Sequence, residues 1–238
     1  MKNGKFIIAL LVGLCLCGSL AAKDYRAVLF GVKADGVTLN TGSIQRAIDK
    51  ISEEGGGTLF FYVGRYITGS FELKSNVRIF LDEGAVLVFS PNAFDAQGAM
   101  IHADGQENIS VYGKGTIEGS ARVLNASIDD QASRGHIDDA EGFRPPLISF
   151  RNCRNASVSG IFLQNPPTDA IRLEGCDGVT LERLRFLAPD VPADAIRLGG
   201  CSGVTLSDSY FDVRNPIMGD RKGLTVSNCV RAGGRKVR

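Results

Sequence analysis

The segment Asp169-Ala-Ile-Arg-Leu-Glu-Gly-Cys-Asp-Gly-Val-Thr-Leu181 returns 25 residues later as Asp194-Ala-Ile-Arg-Leu-Gly-Gly-Cys-Ser-Gly-Val-Thr-Leu206, with 11 of 13 positions identical. Only Glu174/Gly199 and Asp177/Ser202 differ. So short a fixed period marks a chain built by stacking units, each too small to bury its own apolar face. Every unit holds two runs, 170–173 and 179–181, in which apolar and polar residues alternate. That alternation is the period of a half-buried strand, not of a helix. A Gly-Cys-x-Gly corner separates the runs, so the unit reads as one rung of a parallel β-helix.

The repeat extends in both directions. Residues 147–153 and 156–161 form the same rung upstream, and 224–229 form it downstream. Cys153, Cys176, Cys201 and Cys229 then occupy one corner of four successive rungs, stacked at about 4.8 Å. An even cysteine count in an exported chain suits disulfides, and the strand spacing permits them. In-register side chains point in parallel, however, which predicts a ladder of buried thiols.

Residues 1–22 read as a secretory signal: Lys2 and Lys5, an apolar run over 6–17, then Ser19-Leu-Ala21 as a cleavage site. The run is short of a membrane span. The mature domain is 23–238, placed outside the cell or in the periplasm, with no membrane anchor expected. A formal charge of +1 points to neither nucleic acid nor an anionic membrane. No CxxC or HExxH occurs, and His102 and His136 lie far apart, so no metal site is predicted.

Ile44, Ala47, Ile48 and Ile51 form one apolar stripe within 39–54, the mark of an amphipathic helix. Asn40 or Thr41 is expected to cap its start and Gly55-Gly-Gly57 to stop it. Such a helix would cover the open end of the first rung. Short strands follow at 66–71, 77–81, 85–89, 109–112 and 116–118. Asn76, Asn108 and Asn155 open equivalent strands, and are expected to point inward and bond backbone groups of adjoining rungs. The polar, acidic stretch 122–146 lacks strand alternation and reads as a solvated loop, of the kind that often borders a binding groove.

Phe30-Gly-Val-Lys-Ala-Asp-Gly36, Asn40-Thr-x-x-Ile-Gln-x-Ala-Ile48, Gly64-Arg-Tyr-x-Thr-Gly69, Leu73-Lys-Ser-Asn-Val77, Leu81-Asp-Glu-Gly-Ala85, Gly113-Lys-Gly-Thr-Ile-Glu-Gly119 and Arg144-Pro-x-Leu-Ile148 together resemble glycoside hydrolase family 28. These are the polygalacturonases and rhamnogalacturonases of the pectin lyase-like superfamily. The resemblance implies an all-β chain: a right-handed, single-stranded parallel β-helix with an N-terminal capping α-helix. It further implies inverting hydrolysis of α-linked galacturonan in pectin and plant cell walls, without a cofactor. The family's Asn-Thr-Asp element falls on Pro192-Ala-Asp194, which keeps the Asp. Its Gly-Asp-Asp element falls near Asn215-Pro216, with Asp220 four residues further on. Its His-Gly element and Arg-x-Lys clamp have no counterpart before Arg238, so the family's last rungs are missing.

The chemistry needs an acid and a carboxylate on either side of the bond. Asp169 and Asp194 occupy equivalent points of adjacent rungs, and carboxylates stacked so closely resist joint ionisation, as a general acid requires. The candidate catalytic residues are therefore Asp194, Asp169 and Asp220. Arg172 and Arg197, also stacked, could neutralise the aspartates or grip a polyuronate carboxylate. One reading is a monomeric, secreted hydrolase of pectic polysaccharide. The other is a non-catalytic β-helix that binds carbohydrate, or an inactive truncated remnant. A calcium-dependent lyase would use Asp190, Asp194 and Arg197, which fit loosely. The basic tail after Cys229 shows no capping pattern, so the last rung is expected to be an open edge that lowers solubility.

Overall fold

The computed structural model describes residues 23–237, and the signal reading of residues 1–22 lies outside them. Strands of one residue pattern recur in three parallel sheets, of eight, eight and six strands among the described residues. The first sheet runs from Asp24–Arg26 to Leu224–Ser227 and the second from Asp35–Leu39 to Val230–Arg231. The third contains Phe71–Glu72, Ile101–Asp104, Ile148–Arg151, Asp169–Glu174, Asp194–Gly199 and Asn215–Gly219. Each of the six inner rungs takes one strand from each sheet, while the first and last described rungs have none in the third, and parallel crossovers of this kind wind right-handed. The repeat sets the register: Ile171 pairs with Ile196, Leu173 with Leu198, and Leu181 with Leu206. All six are buried, so alternation along each strand becomes a continuous apolar column along the axis. On the second sheet Phe186 and Phe211 form a column of their own, as stacked rings 4.7 Å apart.

The four cysteines are buried free thiols. Cys176 Sγ donates to the Phe150 carbonyl at 3.3 Å and Cys229 Sγ to the Ser227 carbonyl at 3.2 Å. Burial pushes the Cys201 and Cys229 thiols up, which makes them packing groups with little thiolate character.

Helix α1 (Thr41–Glu53) buries Ile44, Ala47, Ile48 and Ile51 and packs on strands Gly57–Phe61, Phe71–Glu72 and Val77–Leu81 of the first rungs. Its start differs from expectation. Asn40 occupies the cap position without a side-chain cap; its amide instead ties Lys33, Thr38 and Ile67 together. Thr41 Oγ1 accepts from the Gly69 amide at 2.6 Å. Tertiary partners have taken both side chains from the helix end.

The asparagine corners also differ. Asn76, Asn108 and Asn155 are exposed and left-handed, with φ of 64°, 57° and 51°. Their amides bond one another, Asn108 to Asn76 at 2.9 Å and Asn155 to Asn108 at 2.6 Å. Gly178, Gly203 and Gly223 continue the same position with φ of 67°, 61° and 85°. The corner demands positive φ, which Asn and Gly tolerate best. Inward hydrogen bonding is not what selects them.

Residues 122–146 are not a solvated loop. They carry most of α2 (Ala121–Ser133), which buries Ala121, Leu124 and Ile128, and the short α3 (Ala140–Phe143). At the other end, Leu224–Ser227 is the last strand of the first sheet among the described residues, and the tail turns back beside it. Val230 bridges Lys236 in antiparallel fashion, the Val237 amide donates to the Cys229 carbonyl at 2.9 Å, and Val237 packs on the core. No helix among the described residues is long and apolar enough to cross a membrane.

Candidate active site on the third sheet

Strands Asp169–Glu174, Asp194–Gly199 and Asn215–Gly219 lie side by side, with Asp169, Asp194 and Asn215 in register. Ile171, Leu173, Ile196 and Leu198 turn into the core, which sends Arg172 and Arg197 to the outer face. The Asp169 side chain is 0% exposed. A carboxylate removed from water must be paired, and Asp169 is paired twice. Arg172 donates to its Oδ2 from Nε at 3.0 Å and from Nη2 at 2.6 Å. Arg197 Nε donates to both of its oxygens at 3.0 Å. The Asp169 carboxylate, by this bonding, holds the Arg197 guanidinium above its ordinary pKa.

Arg197 also reaches its own strand. Its Nη2 donates to Asp194 Oδ2 at 3.1 Å, and Asn215 Nδ2 donates to Asp194 Oδ1 at 2.8 Å. The Asp194 side chain is 14% exposed, so of the two stacked carboxylates it alone meets solvent. Two guanidiniums thus lie against the two aspartates, and the bare repulsion expected between stacked carboxylates is replaced by a charge-balanced cluster.

The structure brings Asp169, Asp194, Arg172 and Arg197 together and leaves Asp220 apart. Asp220 follows strand Asn215–Gly219 at the end opposite Asp194, exposed, accepting from the Lys222 amide at 2.9 Å. It lies five positions beyond Asn215, about 16 Å along the strand. Asp190 sits on the exposed loop before Asp194. No cluster of three or more His, Cys, Asp or Glu side chains that could hold a metal occurs among the described residues.

The structure gives two more residues a place beside the cluster. Asn215 is the amide that orients Asp194. His102, set aside in the sequence as a lone histidine, stands in one outer column with Glu72, Ser149, Arg172, Arg197 and Met218. The readable signal was its outward place in the alternating run Ile101-His-Ala-Asp104.

The sequence profile of the Glycosyl hydrolases family 28 matches residues 65–217, which span this whole cluster. The chain belongs to glycoside hydrolase family 28. A crystal structure of a Parabacteroides merdae protein assigned to the glycosyl hydrolases superposes on this family-28 chain with a TM-score of 0.88 and 43% identity, covering 91% of this chain and 99% of the other. A Vitis vinifera protein named as a probable polygalacturonase is 27% identical over 206 residues, 79% of this chain and 41% of the relative. The Yersinia enterocolitica family 28 exopolygalacturonase shares the fold at a TM-score of 0.78 and 21% identity, over 88% of this chain and 49% of that one. The family-28 chain spans between 32% and 54% of the length of the first curated relatives it matches.

Proposed function

We propose that the chain is an exported, polygalacturonase-like glycoside hydrolase that cleaves α-linked galacturonan or rhamnogalacturonan of pectin by inverting acid/base hydrolysis. The observation that carries this reading is Asp194. It lies in the stretch matched to the family, meets solvent, and has each oxygen fixed by a separate donor, Arg197 and Asn215. A carboxylate so oriented can take a proton from an attacking water or give one to a leaving oxygen. Inversion needs a second carboxyl about 6.5–9.5 Å away. The Asp169 and Asp194 backbones are register neighbours about 4.8 Å apart, and Asp169 is buried against Arg172 and Arg197; on this reading it serves once a uronate carboxylate of the substrate draws Arg197 away and the Asp169 side chain turns outward, widening the pair. Arg exchanges one carboxylate for another of the same geometry in that step.

Residues 23–238 incubated with polygalacturonate or rhamnogalacturonan should release reducing ends. Asp194→Asn should slow release by about 10²–10⁴-fold, the worth of a proton-transfer group. Release that persists in Asp194→Asn sinks the assignment. A folded chain that binds either polymer and releases nothing is instead the non-catalytic carbohydrate-binding β-helix. Export rests on residues 1–22, and fractionation of producing cells tests it. The same reading has the chain working as a monomer on polysaccharide, with no nucleic-acid partner and no membrane anchor.

A further inference from the structure

One column on the outer face of the first sheet changes character along the solenoid. It reads Phe60, Phe80 and Tyr112 in register, then Ser159, Glu182 and Ser207 on the rungs that follow. The three rings are partly exposed. Their centroids lie 4.9 Å apart from Phe60 to Phe80 and 5.2 Å apart from Phe80 to Tyr112. Tyr62, just beyond the first of these strands, is 43% exposed and stacks 6.4 Å from Phe60.

The fold does not ask for rings at this position. The later rungs fill it with Ser and Glu and continue the same sheet, so the solenoid's own need is met without an aromatic side chain. A contiguous apolar stripe left on a surface marks a contact site. Charge around the stripe balances. Arg26, Arg78 and Lys114 stand within two residues of the rings or their register partners, against Asp24, Asp82 and Glu83. Among the described residues only Lys114 and Glu83 of these six pair with each other, at 3.8 Å. A partner of matching chemistry is apolar on one face, rich in hydrogen-bonding groups elsewhere, and uncharged.

The spacing narrows the choice. Strands about 4.8 Å apart set the rings at close to the length of one sugar in an extended β-linked hexose chain. A pyranose ring offers its C–H face to an aromatic ring and its hydroxyls to guanidinium and carboxylate groups alongside. Successive ring planes turn by 45° and 64°, which suits a single dissolved chain with its own twist and not a flat crystalline surface.

We propose that the outer face of the first sheet is a platform for a neutral, extended β-linked hexose chain, laid along the solenoid axis with consecutive sugars on Phe60, Phe80 and Tyr112. The platform lies on a different sheet from Asp194, and its existence does not depend on the hydrolase reading.

The test is calorimetric titration of the mature chain, residues 23–238, with cellohexaose. Wild type should bind it saturably. Phe80→Ser removes the middle ring and should weaken binding at least about tenfold. Tyr112→Ser, which installs the residue that the next rung uses, should weaken it by a similar factor, with circular dichroism checking the fold of both variants. Maltohexaose, whose α-linked chain curves, should bind far more weakly, and hexagalacturonate should not displace cellohexaose. No binding of cellohexaose by wild type overturns the platform, as does unchanged affinity in folded Phe80→Ser or equal affinity for maltohexaose. Displacement by hexagalacturonate overturns it too, since one site for acidic sugar would then account for both ligands. Sedimentation that finds wild type dimeric and Phe80→Ser monomeric gives the stripe to a second copy of the chain and refutes the glycan. The wild-type titration needs no substitution, so a variant that fails to fold leaves the test intact. Loss of cellohexaose binding in Phe80→Ser with Asp194-dependent release retained upholds the platform as a separate site. Cellohexaose bound by a chain that releases nothing from pectic substrates upholds the platform and sinks the hydrolase.

Discussion

Asp169 and Asp194 have the same local sequence, yet their replacement should cost different amounts. Asp169→Asn keeps the shape and one acceptor oxygen but places an amide donor against the guanidinium donors of Arg172 and Arg197. Charge-assisted hydrogen bonds are worth about 1.5–3 kcal/mol each, and breaking a fully buried ion pair costs about 3–5 kcal/mol. The two arginines are 31% and 41% exposed, so water re-solvates them and the cost must be discounted. A loss of about 2 kcal/mol is the resulting expectation. For a chain of this size that is a Tm fall of about 4–8 °C. Asp194→Asn should cost under about 1 kcal/mol, because Asp194 meets solvent and Arg197 keeps Asp169 as its partner. Thermal unfolding followed by circular dichroism at one heating rate compares the two variants directly. Equal shifts would refute the claim that a buried carboxylate organises the site.

Two further predictions test the frame around it. Asn155→Gly should be neutral within about 0.5 kcal/mol, since Gly fills the same corner at 178, 203 and 223, whereas Asn155→Val should lose about 1–3 kcal/mol to left-handed strain; urea unfolding of both variants measures the difference. Glu54 accepts from Lys23, Tyr25 and Lys50, and those contacts, Lys23 first, hold its carboxyl down at about 2 from an ordinary 4.5. A depressed folded pKa gives stability that is complete above the unfolded value and disappears as pH falls through the folded one. The Tm advantage of wild type over Glu54→Gln should therefore hold above pH 4.5 and vanish by about pH 2.

The solenoid was legible because its cause is local. A 25-residue repeat of alternating residues fixes strand, corner and register at once, and the column Ile171, Ile196, Ile217 is the outcome. Helix α2 was missed because only Ala121, Leu124 and Ile128 mark its buried side, inside a stretch crowded with Asp and Ser. The asparagine corners were located correctly but turned the wrong way, since an inward side chain and a left-handed backbone select the same residue type. In the site, stacking of Asp169 on Asp194 could be read from the repeat; their unequal burial could not. Asn125 of α2 donates to the Pro167 carbonyl, two residues before Asp169, so an insertion distant in sequence fastens one corner and not its twin.

The edge position of strand Asn215–Gly219 explains how its unusual residues are tolerated and what they do to the site. It is the last strand of the third sheet among the described residues, and Pro216, which lacks an N–H, interrupts no ladder on the side away from Asp194–Gly199 there. Asn215 then ends a column that reads Asp169, Asp194, Asn215. Two carboxylates face two guanidiniums and one neutral amide, and the cluster balances. A third carboxylate at position 215 would leave one negative charge uncompensated at the sheet edge and repel a uronate. With Asn there, the acidic sugar of the proposed substrate would meet no net repulsion, and Asn215 would keep Asp194 in place while Arg197 shifted toward it. The same substitution removes the carboxylate next to Asp194 that would have been the simplest partner for hydrolysis. On the proposed hydrolase reading, the neutral edge therefore favours an acidic chain and places the burden of catalysis on whether Arg197 can leave Asp169.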